Sequence, residues 1–168
     1  MEAIANWLAE TSASHVIQTT LWIIPITQTI HILSIAMVFS SVIMIVFCIL
    51  GVIKSYTIEQ AAHRFVPWIF YGVAVLAVTG SILIIGEPQR SLPSYEFQMK
   101  MLYLAVAIAS TIAFARSVRQ HALVWQPASG TTQRASASTL VNVLAIAVLL
   151  SWSMVVVYGR WIAYTVQH

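Results

Sequence analysis

Four long apolar runs divide the sequence, and most polar and charged residues lie in the segments between them. The first run, residues 30–53, contains no Asp, Glu, Lys or Arg. A helix needs about 20 consecutive apolar residues to cross the hydrocarbon core of a bilayer. The runs therefore predict four membrane-spanning helices, at about residues 25–53, 67–85, 97–116 and 140–164.

The composition of the chain indicates the same class of protein. Of its 168 residues, 60% are hydrophobic and 8% are charged, whereas a soluble domain carries about 25% charged residues. So few charges cannot cover a water-facing surface, and the lipid bilayer must be the main solvent of this chain. We therefore predict an all-α, polytopic membrane protein with one transmembrane domain, a four-helix bundle over residues 1–168. The basic residues do not cluster with exposed aromatic residues, so no nucleic-acid partner is expected.

The distribution of Lys and Arg predicts the orientation of the chain in the membrane. Five of these residues flank the helices on one side: Lys54, Arg64, Arg116, Arg119 and Arg134. The other side has three, and four glutamates offset them. The first side is therefore expected to be cytoplasmic, with both termini and the loop at residues 86–95 outside. Residues 1–9 mix Glu2 and Asn6 with apolar side chains, which predicts a short interfacial helix.

His31 is the clearest case of a polar residue inside a predicted membrane span, where contact with lipid would be unfavourable. It is about six residues into the first predicted helix, roughly 9 Å along the axis at 1.5 Å per residue. An ionisable group inside a span faces the other helices by default. Helical spacing places it on a weakly polar face with Thr27, Ser34, Val38 and Ser41. Imidazole is a common ligand of haem iron and copper, so His31 is the candidate metal ligand. A packing histidine and a proton relay are the alternatives.

Two cations are predicted at the same outer depth as His31. Arg160 lies near the end of the fourth helix, in the sequence YGRWIAY. There it either snorkels to the outer headgroups or binds an anion such as a haem propionate or a quinone oxygen. Lys100 opens the third helix, and an ordinary surface pair with Glu96 is the alternative for it. Together His31, Lys100 and Arg160 predict a cofactor-binding site open to the outer leaflet or periplasm, although a subunit interface has the same pattern.

Four segments carry a resemblance to a known family: LWIIPITQTIHILSIAMV, FVPWIFYGVAVLAVTGSILI, YEFQMKM and YGRWIAY. In their order and spacing, over nearly the whole chain, they resemble an uncharacterised family of bacterial four-helix inner-membrane proteins. The resemblance implies a multi-pass protein of the bacterial inner membrane in which His31, Lys100 and Arg160 match recurrent motif positions. It implies no established reaction. More loosely, the family is similar to four-helix b-type cytochromes and to the membrane domain of copper-resistance proteins.

The chain departs from that family at the inner ends of two helices. Members often carry an acidic-leucine-arginine motif after the first helix, where this chain reads IVFCILG. They often have a histidine near the inner end of the third helix, where Phe114 is followed here by Ala115. The resemblance therefore favours the outer site around His31 over an inner metal or haem site.

Three functions are compatible with these residues. The first is a haem b protein or redox-linked subunit, with His31 as an axial ligand and with Lys100 and Arg160 neutralising the propionates. Its second axial position is left open, or is filled by a histidine of another protomer or by one of three methionines, Met99, Met101 and Met154. The second is copper handling, because imidazole and thioether suit Cu(I). The third is a non-catalytic subunit of a larger membrane complex. The expected partners are lipid, a second copy or other membrane subunits, and a periplasmic redox or metal-binding protein.

Overall fold

The computed structural model describes residues 2–124 and 139–162, and every regular element in those ranges is a helix. The helices are, in chain order, α1 (Glu2–Ala9), α2 (Ser12–Thr19), α3 (Ile23–Ile49), α4 (Ile58–Gly86), α5 (Pro88–Ser91), α6 (Tyr95–Val124) and α7 (Thr139–Trp161). Four of them, α3, α4, α6 and α7, are long and apolar enough to cross a membrane. The prediction of four candidate spans in an all-helical chain is thus confirmed. Arg134 and the predicted end of the last span, at residue 164, lie outside the described residues.

The start of α4 lies well before the predicted span because a polar cap begins the helix in the preceding loop. The hydroxyl of Thr57 accepts a hydrogen bond from the N–H of Gln60 at 3.2 Å. The side-chain oxygen of Gln60 accepts one from the N–H of Thr57 at 3.0 Å. This reciprocal capping box satisfies two backbone donors that have no partner within the helix. The helix therefore includes a polar first turn that hydropathy alone leaves out.

The end of α3 is set by Gly51, and the helix is shorter here than the sequence predicts. Gly51 has a φ of 74°, a left-handed conformation that glycine adopts without strain. Its N–H donates to the carbonyl of Cys48 at 3.2 Å, and the N–H of Val52 donates to that of Phe47 at 3.0 Å. These are the two bonds of a Schellman ending. The chain therefore leaves the helix after Ile49 rather than at residue 53.

Three short helices cover one end of the long ones. The predicted N-terminal helix is present as α1, and α2, which the sequence analysis missed, follows it. The hydroxyl of Thr11 caps α2 by accepting from the N–H of Ser14 at 3.3 Å. α1 contacts α5, and α2 contacts α4. The amide of Gln89 donates to the side-chain oxygen of Asn6 at 3.2 Å. We call α1, α2 and α5 the cap; it lies where α3 begins and α4 ends.

The packing of α3 against α4 is antiparallel and repeats every seven residues. Three pairs of facing positions mark this register: Ile24 with Gly86, His31 with Thr79, and Val38 with Gly72. A seven-residue repeat is the period at which two helices keep the same faces in contact. α4 also contacts α6, α6 packs against α7, and α7 contacts α3. Each long helix therefore has two long neighbours, and the core lies among the four.

The core combines large apolar side chains with satisfied hydroxyl groups. Phe114 and Ile69 are each 1% exposed, and Trp152 is buried beside them in the same cluster. The indole N–H of Trp152 donates to the hydroxyl of Thr111 at 3.3 Å. That hydroxyl donates in turn to the carbonyl of Ala107 at 2.7 Å. A polar group is costly in a medium without water unless it is paired, and here the pairing is made between and within helices.

Replacing Gly72 by alanine should destabilise the fold. A Cβ at this position would clash with the side chain of Val38 and lie 3.1 Å from the Cε of Met37. Overpacking of this kind costs about 1–3 kcal/mol. We expect Gly72→Ala to lower the thermal unfolding midpoint in detergent, followed by tryptophan fluorescence. Ala74→Leu, at an exposed position of the same helix, is the control and should leave the midpoint unchanged. Equal midpoints for both variants would contradict the close contact.

Candidate functional site

His31 lies on the inward face of α3, in the half of the structure that the cap covers. It is about 12 Å along the helix axis from Ile23, at 1.5 Å per residue. The face predicted for it does pack inward: Thr27, Ser34, Val38 and Ser41 are all buried, and His31 is half-buried. Its side chain crosses to α4.

The imidazole of His31 is held by the hydroxyl of Thr79. Its Nδ1 lies 2.7 Å from the Oγ1 of Thr79. The single proton of that hydroxyl already has an acceptor on its own helix, the carbonyl of Val75 at 2.7 Å. With the hydroxyl proton directed to Val75, its oxygen accepts from Nδ1–H. This arrangement favours the tautomer that carries its proton on Nδ1 and a lone pair on Nε2.

A hydrogen bond of this kind is common at histidines that bind metals. A ligating imidazole generally donates its other ring N–H to a fixed acceptor, which sets both the tautomer and the ring orientation. Here the acceptor is on a neighbouring helix, so the orientation of His31 depends on the register of α3 against α4. The same bond also satisfies a histidine that only packs. Geometry thus makes His31 competent as a ligand and leaves the packing alternative open.

Lys100 is the second residue of the predicted site. It is half-buried on α6, and its side chain lies along the backbone of α7. A Cβ built on Gly159 would be 3.6 Å from its Cε and 3.7 Å from its Nζ. The structure thus places the end of the Lys100 side chain beside α7, and its meeting with His31 stays a prediction.

The expected surface pair between Lys100 and Glu96 is not formed. Within the part of the chain that the structure describes, the side-chain ion pair is that of Arg90 with Glu87, at 2.9 Å. Lys100 has no hydrogen bond or ion pair with any described residue. A cation in apolar surroundings is costly unless it reaches water or an anion. Lys100 therefore presents an ammonium group without a counter-charge among the described residues.

Aromatic side chains join α6 and α7 next to Lys100. Tyr103 and Tyr158 stack with ring centroids 5.4 Å apart and an interplanar angle of 15°. Trp161 meets Tyr158 edge-on, with centroids 6.0 Å apart. These rings lie within about one helical turn of Lys100 and Gly159 along their helices. They form an aromatic cluster between α6 and α7 at the level of Lys100 along α6.

Arg160 is exposed at the end of α7. This position suits an arginine that snorkels to the headgroups. The helix instead buries another face, with Val141, Ala145, Val148, Ser151, Trp152 and Val155 directed into the core. Of the three predicted site residues, the structure thus pairs His31 with Thr79 of α4 and lays Lys100 along α7, and a common site of the three stays a prediction.

Thr79 is the site residue that sequence reasoning missed. It belongs to a run of small residues on the second span, and small residues usually serve close helix packing. The signal that distinguishes Thr79 is its hydroxyl, which is buried in an apolar span and so needs a partner. No single-sequence pattern tells which residue of another helix lies opposite. That pairing follows from the register of α3 and α4.

Replacing Thr79 by valine should remove the acceptor of His31 without changing the shape of the side chain. An unpaired buried donor costs about 1–3 kcal/mol, so we expect Thr79→Val to lower the thermal unfolding midpoint. Thr79→Ser keeps the hydroxyl and is the matched control. Tryptophan fluorescence in detergent measures both. A Thr79→Val protein at least as stable as Thr79→Ser would mean that the His31 bond does not hold the two helices together.

Comparison of the chain with family models, with curated proteins and with solved structures finds no match. The resemblance to bacterial four-helix inner-membrane proteins therefore stays a prediction from the sequence motifs. Function is inferred here from the geometry around His31 and Lys100 and from the chemistry of those side chains.

Proposed function

We propose that this protein binds haem b in the outer half of its membrane domain, with His31 as an axial ligand, and acts as a redox-linked membrane subunit. The observation that carries the proposal is the bond between His31 and Thr79, because it favours an unprotonated Nε2. Neutral imidazole is the usual protein ligand of haem iron. A fixed Nδ1 gives that ligand a defined orientation.

The number of donors near His31 favours haem over a bare metal ion. Among the described residues, no group of three or more His, Cys, Asp and Glu side chains lies together. A bare zinc ion takes three or four ligands from the protein. Haem iron has four nitrogens of its own macrocycle and takes one or two ligands from the protein. A single histidine with a defined orientation is therefore enough to supply one axial ligand of a haem.

Lys100 and the neighbouring rings suit the remaining parts of a haem. The propionates are anions, and the ammonium of Lys100 has no counter-charge among the described residues. The stacked pair of Tyr103 and Tyr158 offers a flat apolar surface next to it. When bound, haem supplies one-electron transfer. The protein's own residues hold it, balance its charge and exclude water from it.

The orientation and the partners follow from the proposed site. We place the cap and the His31 half of the domain on the outer side of the bacterial inner membrane, in line with the positive-inside rule. A periplasmic redox protein is then the expected exchange partner. The second axial position belongs to a methionine or to a histidine of a second copy. Met101 and Met154 are exposed, and Met99 is half-buried.

A second candidate function is that of a non-catalytic subunit that anchors a larger membrane complex. The exposed apolar side chains of the cap region favour it: Ile4, Trp7, Leu21 and Trp22 are each more than half exposed. Large apolar residues outside the core suit a lipid headgroup layer or another subunit. In this case His31 and Thr79 serve only to join α3 to α4.

Purification in mild detergent, with absorption spectra of the oxidised and dithionite-reduced protein, should reveal a Soret band and reduced α and β bands. We expect about one haem per chain, or one per dimer where the His31 of a second copy fills the other axial position. His31→Ala should lose the spectrum because it removes the axial ligand. His63→Ala, at an exposed position near the start of α4, should keep it. Metal analysis of the same samples accompanies the spectra.

Each other result of this experiment favours a different function. A full Soret band in the His31→Ala protein would overturn the assignment of His31. A colourless protein with stoichiometric copper would favour copper handling, in which imidazole and thioether bind Cu(I). A colourless, metal-free protein after expression with added haem would favour the non-catalytic subunit.

Cysteine labelling tests the proposed orientation. Cys48 is the single cysteine of the chain and is buried in α3, so a Cys48→Ala background gives a clean reference. In that background we add Pro93→Cys, in the loop between α5 and α6, or Ser55→Cys, in the loop between α3 and α4. Both positions are exposed. A membrane-impermeant maleimide applied to intact spheroplasts should label residue 93 and spare residue 55. The reverse pattern would place the His31 half on the cytoplasmic side.

A further inference from the structure

Gly80 leaves an open space beside the imidazole of His31. It follows Thr79 on α4, and a Cβ built on it lies 3.6 Å from the Cε1 of His31. Apart from its own helix backbone and chain neighbours, no other atom of the described residues comes within 4 Å of that point. A distance of 3.6 Å is an ordinary van der Waals contact. A methyl group therefore fits at this position, and helix packing does not require a glycine there.

The other two glycines of α4, Gly72 and Gly86, lie in close packing contacts that leave no room for a side chain. At Gly72 an added Cβ would clash with Val38, and at Gly86 it would lie 2.9 Å from the Cγ2 of Ile17. Those two positions need the absence of a side chain for close packing. Glycine within a helix is less favourable than alanine because it loses more backbone entropy. Gly80 carries this cost without a packing contact that needs it, and outside its own helix backbone and chain neighbours the described atom that an added Cβ would meet belongs to His31.

We propose that Gly80 provides the clearance for a broad, planar ligand at His31. The inference rests on the proposed function and deepens it. Cε1 is bonded directly to Nε2, the nitrogen left for a ligand, so a side chain that grows from residue 80 stands next to the coordinating atom. A macrocycle bound at Nε2 extends past the Cε1 edge of the ring. A small ion bound at the same nitrogen does not need this space.

The size of the side chain at residue 80 should therefore control ligand binding. The Gly80→Ala methyl fills part of the space and touches the ring edge. The Gly80→Leu side chain extends across that edge. Because the space is open among the described residues, both variants should fold. Ala77→Leu, on an exposed position of the same helix, is the matched control for added bulk.

The test uses full-length haem-free protein in detergent and measures three quantities for each variant. Hemin titration gives the affinity from the Soret band, tryptophan fluorescence gives the unfolding midpoint, and peptide masses give the rate at which diethyl pyrocarbonate modifies His31. Gly80→Leu should bind hemin about tenfold more weakly or worse, the usual effect of overpacking a filled site. It should also slow the modification of His31. Gly80→Ala should weaken binding less and unfold at or above the wild-type midpoint. Ala77→Leu should match wild type in all three.

The outcomes separate this inference from the proposed function. If wild type binds no hemin, or if His31→Ala binds it as well as wild type, both are overturned. If His31→Ala loses binding while Gly80→Leu keeps wild-type affinity and modification rate, the role of Gly80 alone is overturned. Should Gly80→Leu fail to fold, Gly80→Ala decides, because its methyl fits the structure: unchanged affinity and modification rate in that protein also overturn the role of Gly80.

Discussion

The antiparallel register of α3 against α4 is the constraint on which the rest of the structure depends. Gly72 lets the two backbones approach where Val38 fills the gap, and that contact fixes the pair seven residues earlier on α3 and seven residues later on α4. His31 and Thr79 are those residues. Lipid is as apolar as the helix surfaces, so the hydrophobic effect contributes little to helix association. Close packing at small residues and interhelical hydrogen bonds stabilise the association instead. The close contact at Gly72 and the bond between His31 and Thr79 therefore join the two helices and also orient the imidazole.

The chemistry near His31 follows from placing few polar groups in a medium that cannot solvate them. Buried hydroxyls pair within a helix and between helices: that of Thr111 accepts from the indole N–H of Trp152 on α7 and donates to the carbonyl of Ala107 on its own helix. Lys100 differs, because its ammonium has no counter-charge among the described residues. The proposed site rests on three features: a histidine whose hydrogen bond favours one tautomer, a cation without a counter-charge among the described residues, and a glycine with space beside it.

Apolar run length and helical spacing were sufficient to predict the four long helices and the inward face of His31. Both signals are local, since each depends on residues of one segment. The partner of His31 was not predictable, because it depends on how two segments align. The end of α3 at Gly51 and the start of α4 at Thr57 were readable in principle from capping chemistry, which hydropathy ignores. The pairing of Lys100 with Glu96 had the correct spacing, yet Lys100 lies along α7 instead.

The bond between Asn6 and Gln89 has a consequence for the biogenesis of this protein. The two residues are 83 positions apart in the chain, so α1 leaves the ribosome long before its partner α5 exists. The cap can close only after α4 has been made and has brought α5 back to the first helices, and the half of the domain that contains His31 stays uncovered until then.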